Sequence, residues 1–506
     1  MARRYRQRQR PNEQLLELTL RPACARWTTS TVPGVGAAGT APAQGGTMTR
    51  LALTDALFLL IEGRQQPMHV ASLQVYEKPK DAGRTFVRDL YESFIAVDEV
   101  APLLSRRVRR GFGGVGPLEW VHDDDVDLEY HVRHSALPSP GRVRELLALV
   151  SRLHGSILDR RRPLWEVHVI EGLRSNRFAL YMKMHHAFVD GVSGTQLVID
   201  SLSTDPENRN MRPLWESSAF PERQSSPSQG FSPTLLARSL AKMPGSLAGA
   251  GRAVVDASRA ALDHPLTGAA PFAAPRTVLN TGITGARRFA ADDYSLSRVK
   301  AIGKATGTSL NDVVLAMCSG ALRRYLIDHN ALPDRPLIAM VPVSLRPKGE
   351  AVEFGKNAVG SILCSLATHL EDPLERLQTI NGSMNETKAR LAALHASQIT
   401  LYSAAMTGGV MTAPLQIRTA IPPVYNLVIS NVPGPRTPLY LNGAKLQGLY
   451  PVSIVQDSQA LNITVLSYVD QLAFGLIGCR TALPHLQRLL DHLTTELDDL
   501  DKLSLG

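Results

Sequence analysis

The sequence predicts a mixed α/β protein built from two mixed sheets, each backed by helices. Three observations carry that reading. The chain has 506 residues, 44% of them hydrophobic, which is enough to bury one or two full cores and too apolar for a mainly disordered protein. Strand-like and helix-like patterns alternate without the regular βαβ period of a doubly wound parallel sheet. A core-poor stretch dense in Ser and Pro, 206–275, separates the pattern into two halves.

The elements follow in order. Residues 1–47 form a basic extension; its 31–47 segment is 14 of 17 Gly, Ala, Pro or Thr, a linker composition that cannot bury enough apolar surface to order itself. Folded pattern begins after Met48, itself an alternative start, with RLALTDALFLLIE, where Thr54 or Asp55 is placed to cap a short apolar helix. Strands follow at QVYE near 75 and LEWVHD near 120, then a helix over Val143–Leu158, then strands EVHVIEG and RFALYMKM. The 206–275 crossover contains two basic helical pieces, LLARSLAKM and GRAVVDASRAAL. Beyond it the pattern predicts a helix at 310–327, strands LIAMVPVSL and GSILCSLAT, a helix at 373–394 and a strand NLVISNV. A hairpin, LNITVLSYVDQLAFGLIG, and a last helix with Leu486, Leu489, Leu490, Leu493 and Leu497 on one face complete it. The resulting division is 1–47 extension, 48–205 N-terminal domain, 206–275 crossover and 276–506 C-terminal domain.

Charge and composition exclude several classes. Lys plus Arg exceed Asp plus Glu by 9, but the extension, with 7 Arg and 2 Glu, supplies +5, leaving +4 on the body. So small an excess is no dedicated nucleic-acid surface, although it permits mild attraction to anionic lipid. Cys24, Cys318, Cys364 and Cys479 are scattered without a CxxC pair, which argues against a disulfide scaffold and a four-cysteine zinc site and fits a reducing cytoplasm. The longest stretch without Asp, Glu, Lys or Arg, Leu391 to Ile417, holds His395, Gln398, Gly408-Gly409 and Pro414 and so reads as protein wall, not a membrane span. The N-terminal arginines are followed by too short an apolar run, Leu15 to Leu20, interrupted by Glu17, for a secretory signal.

The chemistry concentrates at His185-His186-Ala187-Phe188-Val189-Asp190-Gly191. Before it, Phe178, Leu180, Met182 and Met184 share one parity and Arg177, Tyr181 and Lys183 the other, which predicts a strand with one apolar face. His186 continues that face and His185 the opposite one. A histidine ending an apolar face is partly desolvated, which favours the neutral imidazole and hence a general base. Asp190-Gly191 turns the chain, and Ser193 to Asp200 reads as a following helix. Adjacent histidines on a strand diverge and no HxxxH pair exists, so a metal site is not expected. Ser193 in GVSGT lacks the GxSxG frame of a hydrolase nucleophile.

Other motifs weigh less. Gly111-Phe112-Gly113-Gly114-Val115-Gly116 matches GxGxxG but precedes Pro117 and a strand, not the helix a dinucleotide needs. The run Asp123, Asp124, Asp125, Asp127 lacks calcium-loop spacing and reads as a solvated turn. Pro163-Leu164-Trp165-Glu166 recurs at Pro213-Leu214-Trp215-Glu216 without a longer repeat, and Trp165 as core is slightly preferred over a site role. Asn311-Asp312 opens an apolar helix, where a plain helix-start role is at least as good as a catalytic one.

Taken together and in this order, PLWE, HHAFVDG, NDVVLA, VPVSLR and SNVPGP, with LTDALFLLIEGRQQPMHV and EYHVRHSALPSPG, closely resemble the bacterial wax ester synthase/acyl-CoA:diacylglycerol acyltransferase family, the actinobacterial triacylglycerol synthases in particular, over about 48–503. HHxxxDG alone is shared with chloramphenicol acetyltransferase and peptide condensation domains. The resemblance implies two chloramphenicol-acetyltransferase-like domains with the active site in a channel between them. It implies His186 as general base, His185 in support, Asp190 and Gly191 shaping the motif loop, and Pro163, Leu164, Trp165, Glu166, Asn311 and Asp312 near the site. Acyl-CoA is then a cosubstrate and no tightly held cofactor or metal is needed. The acceptor is diacylglycerol or, as in other members, a long-chain alcohol; a weakly active lipid-binding paralogue or a peptide condensation domain are the other classes. The apolar stretches 391–417 and 419–430 are candidates for lining the acyl tunnel, with ordinary core the preferred reading of any single residue in them, and the basic pieces at 235–262 are expected to contact the inner face of the plasma membrane or a lipid droplet from the cytoplasm. The motifs specify no oligomeric state.

Overall fold

A computed structural model of the chain describes residues 49–51, 53–110, 118–217, 272–344, 359–392 and 422–505, all within one unit spanning Gly46–Gly506. The extension, the GFGGVG segment, the basic pieces at 235–262 and residues 393–417 of the uncharged stretch lie outside the described residues.

The first half contributes β1 (Thr49–Arg50), α1 (Leu53–Ile61), β2 (His69–Glu77), α2 (Phe86–Ile95), β3 (Arg106–Arg110), β4 (Leu118–His122), α3 (Leu128–His131), β5 (Val132–Ala136), α4 (Val143–His154), β6 (Trp165–Leu173), β7 (Arg177–His185) and α5 (Gly191–Asp200). The second contributes β8 (Arg287–Ser295), α6 (Leu296–Thr306), α7 (Leu310–Asp328), β9 (Ile338–Ser344), β10 (Val359–Ser365), α8 (Pro373–Ala392), β11 (Leu427–Val432), β12 (Tyr440–Leu441), β13 (Ala444–Val452), β14 (Leu461–Tyr468), β15 (Gln471–Cys479) and α9 (Arg488–Leu505). The expected mixed α/β architecture is present: two six-stranded sheets, ordered β12-β13-β2-β7-β6-β5 and β10-β9-β11-β14-β15-β8, and a small sheet β1-β4-β3. Both large sheets mix parallel and antiparallel pairs, β5 running parallel to β6 and β11 parallel to β9 and β14.

Local chemistry explains most element starts. Ser309 and Asp312 form a reciprocal capping box on α7, and Ser295 caps α6, which ends at Gly307 in the left-handed region. Helix α7 is buried along most of its length, so it reads as continuous apolar sequence and forms the floor of the main core. Helix α1 begins at Leu53, so Thr54 and Asp55 fall inside its first turn and not before it.

The sheets do not strictly follow the chain. Strand β13, from the second half, pairs with the first-half strand β2 along Lys445↔Glu77 to Val452↔Ala71, and β12 pairs with the other edge of β13. A register shift between Leu446 and Gly448 breaks the two-residue alternation of β13. Strand β7, expected to have one apolar face, is buried on both: Tyr181 and Lys183 are enclosed as fully as Phe178 and Met184. A lysine can be enclosed there because its ammonium meets Glu166 Oε2 at 3.1 Å and donates to the Leu153 and Ser156 carbonyls. Helix α4 covers that face, while the opposite face of β7 joins α2 and α5 in a second core.

Candidate active site

The histidine pair sits where β7 ends. Strand pairing fixes it by main-chain bonds: the His185 N–H donates to the Leu164 carbonyl at 3.0 Å and the His186 N–H to the Met68 carbonyl at 2.8 Å. Parity then separates the rings as expected. His185 is wholly buried, whereas His186 stacks on Phe58 with ring centroids 4.2 Å apart and lines a cavity of about 410 Å³ together with Met182 and Met184.

Each ring has a distinct environment. The Ala187 N–H donates to His185 Nδ1 at 3.0 Å, which leaves the proton of the neutral ring on Nε2, 3.4 Å from Glu62 Oε1. Glu62 also accepts the Met68 N–H at 3.1 Å and pairs with Arg160 at 3.0 Å. Burial pushes this carboxyl up, but His185, the Met68 amide and Arg160 outweigh it and hold Glu62 below the usual carboxylate value. For His186 burial is the largest influence and lowers the pKa below 6.5; Asp190 opposes this and His185 adds to it. Its Nδ1 is buried without a hydrogen-bond partner. The ring that faces the cavity is therefore a neutral imidazole at neutral pH.

Asp190 is the N-cap of α5: its carboxylate accepts the Ser193 N–H at 2.8 Å and the Ser193 hydroxyl at 3.0 Å. Gly191 lines the cavity, and a Cβ there would meet no atom within 4 Å.

The other motif residues lie away from the cavity. Trp165 is core: its indole donates to the Leu104 carbonyl at 2.7 Å and stacks on Trp215, centroids 5.7 Å apart. The two PLWE copies thus meet through their tryptophans. Leu164 supplies the carbonyl that holds His185, so this segment acts on the site through the backbone. Pro163 and Leu164 are buried, and Glu166 lies on the α4 face among Lys183, His168 and Arg133. Burial raises the Glu166 pKa, but these partners win and bring it to about 2. Asp312 accepts the Ser309 N–H and hydroxyl at 2.9 and 2.6 Å and the Asn381 amide at 2.8 Å, the helix-start role, and neither it nor Asn311 lines the cavity.

Sequence reasoning missed Glu62, Phe58 and the facing wall of the cavity, which comes from the second sheet. Met340, Pro342, Ser361, Val428, Ser430, Asn462 and Thr464 lie there, with Tyr425, Gln456 and Gln459 beside them. Within 419–430, Tyr425, Val428 and Ser430 line it, while Val424, Leu427 and Ile429 belong to the main core. The alternation of Leu461, Ile463 and Val465 with Asn462 and Thr464 was the available signal for a polar strand face. Among the described residues no three His, Cys, Asp or Glu side chains converge as a metal site would, and no helix is long and apolar enough to cross a membrane.

The chain is similar to known proteins along nearly its whole described length. Residues 51–314 match the model of the wax ester synthase/diacylglycerol acyltransferase catalytic domain, and 356–501 match the family's C-terminal domain. The chain is 51% identical over 455 residues to a probable diacylglycerol O-acyltransferase, tgs2, of Mycobacterium tuberculosis, covering 88% of this chain and 98% of that one. A solved wax ester synthase/diacylglycerol acyltransferase from Marinobacter aquaeolei is 41% identical with a TM-score of 0.70, covering 90% of this chain and all of that one. The first condensation domain of the calcium-dependent antibiotic synthetase shares the fold at 16% identity and a TM-score of 0.55, over 90% of this chain and 96% of that one.

Proposed function

The chain belongs to the wax ester synthase/diacylglycerol acyltransferase family, and from that premise we propose that it transfers a long-chain acyl group from acyl-CoA to the hydroxyl of diacylglycerol, with His186 as general base. The observation that carries this reading is a desolvated, neutral imidazole on the wall of a 410 Å³ cavity between the two sheets.

His186 takes the hydroxyl proton as the oxygen attacks the thioester carbonyl. The new C–O bond forms, the C–S bond breaks, and the imidazolium returns its proton to the departing CoA thiolate. The electron balance closes with no covalent enzyme intermediate, and acyl-CoA serves as cosubstrate without a resident cofactor or metal. His185 and Glu62 position the strand end; Asp190 sets the start of α5 behind the base. Since long-chain diacylglycerol is insoluble, the protein collects it as a peripheral visitor at the inner face of the plasma membrane or at a lipid droplet, with the basic pieces at 235–262 as the contact.

The test offers labelled palmitoyl-CoA to the purified protein with diacylglycerol or hexadecanol, in separate reactions, and resolves the products by chromatography. Triacylglycerol is expected. Its absence from the diacylglycerol reaction overturns the reading, and wax ester alone would make the protein an alcohol acyltransferase.

A further inference from the structure

The two walls of the cavity differ in chemistry. On the first-sheet side Val70, Met182 and Met184 lead to His186, with Ser72, Asp190 and Thr195 as the polar groups among them. The second-sheet side sets polar side chains on adjoining strands among Met340, Pro342, Val428 and Val432: Ser361 pairs with Pro342, Ser430 with Thr464, and Asn462 with Val428. In β14 the residues of one parity, Leu461, Ile463 and Val465, enter the main core, while Asn462 and Thr464 line the cavity. The turn between β13 and β14 adds Gln456 and Gln459. Asn462, Gln456 and Gln459 are each more than nine-tenths buried.

A buried sheet face is ordinarily apolar, because a polar group removed from water is costly unless it is paired. Part of the demand here is met internally: the Thr464 hydroxyl donates to Asn462 Oδ1 at 3.0 Å, and Gln456 Nε2 donates to Gln459 Oε1 at 2.6 Å. These bonds leave Asn462 with its amide N–H₂ as the donor of the wall. They also leave Gln456 Oε1 a buried acceptor with no partner. A wall for acyl chains alone needs neither group.

We propose that the polar groups of this wall seat the glycerol backbone of the acceptor, holding its ester carbonyls through the Asn462 amide while its hydroxyl keeps its one proton for His186, so that Asn462 and Thr464 select an ester-bearing acceptor over a plain long-chain alcohol. The proposal rests on the acyltransferase reading above and adds the acceptor subsite. Diacylglycerol carries two ester carbonyls within a few bonds of its hydroxyl, so it answers the amide donor while the hydroxyl lies at the base. Hexadecanol offers only the hydroxyl and would lay methylenes against Asn462. A site built to hydrogen-bond one ligand discriminates strongly against an analogue lacking the group. Two residues therefore separate in function: His186 serves every alcohol acceptor, whereas Asn462, held in place by Thr464, serves only the ester-bearing one.

The experiment measures kcat and KM for diacylglycerol and hexadecanol, each with palmitoyl-CoA, for the full chain and for Asn462→Leu, Asn462→Asp and Thr464→Val. Affinity for mixed micelles containing either acceptor is measured alongside. Asn462→Asp keeps the size but replaces the donor, so it guards against a Leu variant that fails to fold. Expected for both Asn462 variants is a tenfold or greater fall in kcat/KM for diacylglycerol, mostly through KM, with hexadecanol changed less than about threefold. Thr464→Val should follow more weakly. Equal losses for both acceptors in the Asn462 variants, or none, overturn the proposal while the unmodified chain still makes triacylglycerol. Failure of the unmodified chain to make triacylglycerol or to bind diacylglycerol micelles overturns the acyltransferase reading and this inference with it.

Discussion

A histidine that must accept a proton is useful only while neutral, and the enclosure of His186 biases it that way. Because burial holds its folded pKa below 6.5, the base stays competent through neutral pH; the transfer rate should fall only on the acid side, below the ordinary histidine value. A rate that already halves between pH 8 and pH 7 would contradict this. His186→Ala should lower the rate by roughly 10² to 10⁴-fold with the protein folded and acyl-CoA still bound. His185→Ala should instead lower the melting temperature, since its wholly buried ring is fixed by the Ala187 amide and lies against Glu62. Rate and melting curve for the two variants, side by side, decide the assignment: a stable but inactive His185→Ala would reverse it. Strand parity made His186 legible, because Met182 and Met184 announce the same face. Glu62 was not legible, as only tertiary packing of the α1 end against β7 brings it to His185. The PLWE segment was legible as core through Trp165 but not as the source of the carbonyl that holds His185.

At the scale of elements, β13 is the piece that joins the two sheets. It extends the first sheet through β2, while its Pro451 carbonyl presses on Gly475 of β15, where an added Cβ would lie 1.9 Å from that oxygen. Gly475→Ala should therefore destabilise by about 1–3 kcal/mol or more, with the loss seen as a lower denaturation midpoint; an unchanged midpoint would mean the contact relaxes freely. Helix α4 is tied to the same region by His154, whose ring meets the Ser453 carbonyl and the Tyr181 hydroxyl, each at 2.8 Å. Burial lowers its pKa to about 3, so the unfolded chain binds this proton more readily and stability must fall as pH drops from 6.5 toward 3. His154→Gln should flatten that part of the melting-temperature profile. Regular elements such as β6, β7, α7 and β14 were legible from periodicity within a few residues. Strand β8 was not, because Arg287, Asp292 and Asp293 disguise it: Arg287 is nonetheless buried, and Asp293 accepts the Tyr450 hydroxyl at 2.6 Å.

For the whole molecule, the folded pattern starts where the first described strand does: Thr49–Arg50 pairs with β4. Expression from Met48 should match the full chain in stability and turnover, and a truncation past Arg50 should not, because it removes β1. An insoluble or inactive Met48 product would make the extension part of the fold. Flotation with anionic liposomes should show association that weakens with salt, and no association at low salt would remove the proposed lipid contact. The strand exchange has a consequence for synthesis. A ribosome adds about 5–20 residues per second, so β2 is finished some tens of seconds before the β13 residues that cover its outer edge exist. Throughout that interval the nascent first half displays an open row of backbone donors and acceptors, the template for edge-to-edge pairing between neighbouring chains. The protein should thus depend on a holdase while it is being made, and a fragment ending near residue 217 should aggregate however well its own core is packed.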